Sequence, residues 1–144
     1  MRGFTLIEIL LSVALISLIA GFLVPIEHTL LVRNRLSEAT ATVTNAVRTA
    51  GFKARIGDEN STWGVWIGTS EIIVYKGVSF PLRDINRDES FELPAGIGIT
   101  IQPSADIAFQ KLTGKPKADT TILISNDSGE KKMYLNLNGV LELQ

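Results

Sequence analysis

The sequence predicts an α+β protein, a long N-terminal helix packed on a C-terminal antiparallel β-sheet domain. Three observations carry this. Residues 9–26 form an uncharged apolar run of eighteen residues interrupted only by Ser12 and Ser17. From Leu36 to Ala50, apolar residues return every three or four positions, the helical period. From about Thr62 the pattern changes to short β-branched and aromatic segments punctuated by Gly, Pro, Asn and Asp.

The first half of the helix is greasy on every side. Eighteen residues reach the lower edge of the roughly 17–25 needed to span a bilayer, and counting from Phe4 makes the length comfortable. A small domain would hardly enclose such a helix. A secretory signal peptide would carry an apolar part of roughly 7–15 residues before a small-residue cleavage site. "LIAG" at Leu18–Gly21 imitates one, yet the apolar pattern continues through Phe22, Leu23 and Val24. Gly21 and Pro25 are expected to break the helix locally, because a proline removes one backbone bond and crowds the carbonyl four residues back.

Beyond Pro25 the helix changes character. Leu36, Ala39, Val43, Val47 and Ala50 form an apolar stripe, with Arg33, Arg35, Glu38, Asn45 and Arg48 largely between them. This is an amphipathic helix covering a domain, with Gly51 as the expected stop. Thr40, Thr42, Thr44 and Thr49 weaken its intrinsic propensity, so packing has to hold it. The expected strands are "TWGVWIG", "EIIVYKG", "SFPLRDI", "IGITIQ", "DIAFQKL", "TTILIS" and the pair "KMYLNL" and "VLEL", the last two joined by an Asn138-Gly139 hairpin turn. No helix pattern falls between strands, which argues for an antiparallel sheet.

Composition excludes several chemistries. The 144 residues carry a net charge of −1, so no bulk attraction to nucleic acid exists. There is no cysteine, hence no disulfide, thiolate metal site or cysteine nucleophile. The one histidine, His28, follows the apolar run and reads as a polar residue at a membrane interface. It stands outside the domain that would have to supply a Ser-His-Asp triad. An anchored hydrolase is therefore the weakest reading, and the chain is expected not to be an enzyme.

One residue does not fit a plain anchor. Glu8 is the only charge between Phe4 and Ile26. A charge at mid-bilayer costs roughly 2.5–3.5 kcal/mol even on mild scales, so it marks a function by default.

"GFTLIEILLSVALISLIAGFLVP", residues 3–25, resembles the N-terminus of type IV prepilins and type II secretion pseudopilins. The shared features are a glycine before a phenylalanine, then threonine, an apolar stretch with a glutamate, and an apolar helix carrying a proline. The resemblance implies that a prepilin peptidase of the membrane cuts after Gly3 and methylates the new N-terminal Phe4. Residues 1–3 would be the leader peptide, 4–27 the transmembrane and assembly helix, and 28–144 a pilin-like globular domain that includes the second half of the long helix. Glu8 would be the assembly residue. It would pair with the Phe4 amine of an adjacent pilin or pseudopilin subunit in a helical filament. Such a chain waits as a single-pass protein in the lipid bilayer of the inner membrane, domain outside the cytoplasm. An inner-membrane assembly platform then moves it into a pilus or pseudopilus. Arg2 precedes the span and Arg33 and Arg35 follow it, so orientation rests on the resemblance. The run "LPAGIGITI … DIAFQKLTGKPKADTTILISN … KKMYLNLNGVLEL" is similar to the GspH/FimT group of minor pilins and pseudopilins. The other reading is a membrane-held minor pilin acting mainly as a DNA- or ligand-binding module.

Two loop features bear on that second reading. Asp84, Asn86 and Asp88 space oxygen ligands like a calcium loop, and some relatives carry calcium in this region. The glycine expected next is Glu89, and the twelfth position is Ala95, so a solvated loop is the better reading. Lys111, Lys115, Lys117, Lys131 and Lys132 form basic clusters. They could bind DNA strands if they converged on one face beside Trp63, Trp66 or Tyr75. "GKPK" lacks the flanking residues of a phosphate loop.

Overall fold

The structure is a computed structural model that describes residues 4–144, with the side chains of 22–29 excepted. The expected cleavage residue Gly3, and His28, lie outside what it describes. Helix α1 runs from Leu6 to Ile56, 51 residues, or about 77 Å at 1.5 Å per residue. It continues through Gly21 and Pro25, so the expected break does not interrupt the element.

The eight strands are β1 (Trp63–Ile67), β2 (Glu71–Lys76), β3 (Glu89–Glu92), β4 (Gly98–Gln102), β5 (Asp106–Phe109), β6 (Thr120–Asn126), β7 (Gly129–Leu135) and β8 (Leu141–Leu143). All pairs are antiparallel. The sequence suggests one sheet, but there are two, ordered β3-β2-β1-β5 and β4-β6-β7-β8. The chain passes from the first to the second through Leu93–Ile97 and returns to the first in β5, so sheet membership depends on long-range pairing.

The second half of α1 lies across both sheets. The whole apolar stripe is buried, from Leu36 at 6% exposure to Ala50 at 0%. It meets Val65, Ile72 and Val74 of the first sheet and Ile122, Ile124, Met133 and Leu135 of the second. Small residues on the stripe (Ala39, Ala46, Ala50, Ala54) let the helix sit close to the strands. Thr40, Thr42 and Thr44 donate their hydroxyls to carbonyls four residues back, at 2.6–3.0 Å. Asn126 Nδ2 donates to the Val32 carbonyl at 2.7 Å, fastening β6 to the helix where it enters the domain.

Three local expectations are corrected. Gly51 does not stop the helix. The Phe109 ring packs beside it, where a Cβ would meet the ring at an ordinary contact distance of 3.4 Å, while Gly57 takes the left-handed conformation (φ 69°) that ends α1. "SFPLRDI" is not a strand but two 3-10 turns, Phe80–Leu82 and Ile85–Arg87, since Pro81 has no ladder N–H to donate. Residues 89–92, read as solvated loop, form β3, a charged edge strand whose flanks keep further strands away.

Candidate functional site

The N-terminal end of α1 is the first candidate. Thr5 is the N-cap residue, with extended backbone (φ −80°, ψ 151°), and Glu8 is the third helical residue. The Glu8 carboxylate reaches back and accepts from the Thr5 backbone N–H and from its hydroxyl, both at 3.4 Å. This is the return arm of a capping box. It also puts a negative charge at the positive end of the helix dipole. Thr5 is the residue that sequence reasoning passed over, although the Thr-x-x-Glu spacing of a capping box was in plain view.

Around that site the helix is bare. Residues 4–21 are exposed throughout. Phe4 is 82% exposed and Leu6 77%, and Ile7, Leu11 and Ile16 all stand free. Ser12 and Ser17 donate to the carbonyls of Glu8 and Val13, each at 2.8 Å, so neither hydroxyl needs water. Among the described residues, no helix is long and apolar enough to cross a membrane. The span expected over 4–27 has described side chains only as far as Gly21.

Two of the three spaced oxygen residues, Asp84 and Asp88, have partners within the turns. The Asp84 carboxylate accepts from the Asn86 backbone N–H at 3.2 Å, starting the second 3-10 turn. Asp88 instead faces Arg83 Nε at 2.7 Å. Among the described residues no group of three or more acidic or histidine side chains could hold a metal ion. One oxygen of Asp88 is thus taken by the Arg83 guanidinium.

The lysines do not form one surface. Lys111 is held by Asn60 and Lys117 reaches the Val78 carbonyl, while Lys131 reaches Ser37 at 3.4 Å. The 110–116 loop docks beside Ala54, where the Leu112 N–H donates to the Ala54 carbonyl at 2.8 Å. The two ends are about 25 Å apart along the helix. Lys131 and Lys132 are successive strand residues and point to opposite faces. Lys115 is exposed on the same loop as Lys111 and Lys117.

The aromatic residues are structural. Trp63 is 2% exposed, donates its indole N–H to the Asp58 carbonyl at 3.1 Å, and lies beneath Lys53. Trp66 stacks on Phe80 with ring centres 4.5 Å apart. Tyr75 is fully buried and donates its hydroxyl to Asp106, whose other oxygen accepts from the Phe80 N–H at 3.0 Å. Burial pushes the Tyr75 hydroxyl well above its ordinary range, and the bond to Asp106 pushes it the same way. Glu59 accepts from Lys76 at 2.6 Å and faces Arg87 at 3.1 Å. The Lys76 hydrogen bond holds its carboxyl below the usual range.

Comparisons with known proteins agree with this picture at both ends of the chain. Residues 1–24 match the family model described as the prokaryotic N-terminal methylation motif. Among solved structures, the minor pseudopilin EpsH from the type 2 secretion system of Vibrio cholerae is similar in fold. Its TM-score is 0.53 at 13% identity, covering 74% of this chain and 93% of that one. No curated protein matches by sequence. The chain thus joins a prokaryotic N-terminal methylation motif to the fold of a minor pseudopilin, and on both counts it resembles the type IV pilin and pseudopilin family.

Proposed function

We propose that the chain is a minor subunit of a pilus or of a type II secretion-like filament. It is cleaved after Gly3, methylated on Phe4 and held in the membrane by residues 4–27 until assembly. The observation that carries this reading is the carboxylate of Glu8 at the head of a helix that is apolar and unpartnered on every side. Apolar helices that exclude water together bury any charge among them, and a buried charge needs an opposite one. Cleavage would create it, as the amine of Phe4.

The capping geometry supports a two-stage role. Before assembly, the carboxylate is occupied by its own Thr5 through two long bonds of 3.4 Å. Such bonds are long and weak, whereas a pair with an amine is charged on both sides. Glu8 can therefore leave its cap for the amine of the next subunit at little cost. Only one axial register brings the two together, so the pair marks the stagger between subunits. Type II secretion is the favoured setting, because the fold likeness is to a minor pseudopilin of such a system.

Mass spectrometry of the mature protein tests the reading. Wild type should begin at an N-methylated Phe4, and Gly3→Val should keep its leader, since a β-branched residue denies the peptidase a close backbone approach. A mature protein cut near Gly21 would overturn it.

A further inference from the structure

The distal end of the domain carries a groove that the fold does not explain. It holds about 400 Å³ and lies between α1 and the turns at 113–114 and 138–140. Its helix wall presents Arg48, Phe52 and Arg55, at i, i+4 and i+7 and so on one face. Phe52 is 63% exposed, although an aromatic ring gains most from being covered. Val140 stands exposed on the opposite wall. No carboxylate lines the groove, and among the described residues neither arginine makes an ion pair. Two cations therefore flank an open apolar patch, and the complementary surface is an apolar group between two anions.

The spacing narrows the occupant. Arg48 and Arg55 lie about 10 Å apart along α1. Same-face residues of an extended strand recur at about 7 and 13 Å, whereas positions i and i+7 of a helix match about 10 Å. We infer that the groove takes an amphipathic helix of a different protein, with acidic residues at i and i+7 and a large apolar residue at i+3 or i+4 between them. The apolar side chain covers Phe52 and reaches Val140, and each carboxylate meets one guanidinium. A second copy of this chain cannot supply that helix. The only α-helix among the described residues, α1, has its acidic residues at Glu8, Glu27 and Glu38, no two of them seven apart. The contact is thus between unlike chains, and it does not depend on cleavage or assembly. Nucleic acid fits less well. Two cations fall short of the roughly 6–10 phosphate contacts behind strong backbone binding. Lys111 and Lys117, on the neighbouring loop, already have partners within the fold. An aliphatic wall such as Val140 also offers a phosphate nothing.

Fluorescence anisotropy with the full chain in detergent micelles tests it. The probe is a fluorescein-labelled, alanine-rich helical peptide with Glu at i and i+7 and Leu at i+4. One control peptide replaces both Glu by Lys, and another moves the second Glu to i+5, off the shared face. Empty micelles set the background. Wild type should bind the probe about tenfold more tightly than either control. Arg48→Glu combined with Arg55→Glu should lose the Glu probe and gain the Lys peptide, a reversal that unfolding alone does not give. Phe52→Ala should weaken the probe severalfold with an unchanged circular dichroism spectrum. No saturable binding of the probe, equal affinity for the two Glu spacings, or no reversal in the double variant would overturn the inference. So would oligothymidylate that binds wild type in place of the probe and is lost in the double variant, which would assign the groove to nucleic acid. The N-terminal mass of the same preparation bears on the filament reading alone. A chain that binds the probe but lacks an N-methylated Phe4 defeats that reading and leaves this contact standing.

Discussion

On the proposed reading, the single side chain of Glu8 would serve two states. In the single chain it satisfies an orphan N–H at the start of α1. Among packed helices, in the assembly proposed above, the same carboxylate would be the partner of the Phe4 amine. Glu8→Val removes both roles, but they differ in weight. The cap is worth about 1 kcal/mol, and losing one partner of a buried pair costs roughly 3–5 kcal/mol. Insertion and cleavage should therefore survive, while the variant's share of sheared filaments falls severalfold against equal processed protein in the membrane. An unchanged share would give Glu8 another role. Glu59 sets a second expectation. Its folded carboxyl is lowered, first by the hydrogen bond from Lys76. The stability it contributes is present above its ordinary value of 4.5 and is lost as pH falls through the folded value. Trp63 fluorescence should report a loss of stability below about pH 4.5 that Glu59→Gln reduces.

At the scale of elements, the end of α1 is decided by tertiary contacts. Gly51 is the stop expected from sequence, yet it is Gly57 that adopts positive φ. Gly57→Ala forces a side chain into the left-handed region at a cost of about 1–2 kcal/mol. Gly51→Ala meets Phe109 only at van der Waals distance and gains helix propensity, so it should be neutral or stabilising by up to about 1 kcal/mol. Thermal melts of the two variants should move in different directions from wild type, and equal destabilisation would refute the assignment. Gly114 is the counterpart on the facing loop. It has φ 64°, and a Cβ there would lie 2.6 Å from the Gly51 carbonyl oxygen. The helix is thus able to run past Gly51 because the loop opposite also carries a glycine.

The whole molecule divides by burial rather than by secondary structure. One continuous helix serves two environments. Its described residues up to Gly21 touch nothing, whereas from Leu36 onward its apolar stripe is sealed against two sheets. Because the core is built from that second part, a fragment starting at His28 should fold without detergent. It should show an α+β circular dichroism spectrum and a single cooperative melt. Aggregation relieved only by detergent would mean that the Phe52 and Leu82 surfaces cannot be left open to water.

What the sequence determined by itself is whatever local periodicity and local chemistry encode. The 3.5-residue spacing from Leu36 to Ala50 and the Asn138-Gly139 turn were legible because each element's buried face repeats along the chain. The Gly-Phe-Thr…Glu segment was legible for another reason: the motif it matches is carried by consecutive residues. Thr5 was equally readable, from a spacing of three. The structure decided everything that depends on residues meeting from afar. It divided the strands between two sheets, turned 80–87 away from strand geometry and gave Asp88 to Arg83 instead of to a cation. It also held Lys111 and Lys131 at points about 25 Å apart along the helix. The physical reason is the same in each case. Strand pairing and ion pairing are settled by which partners the folded chain brings together, and a segment's own composition carries no record of its partner.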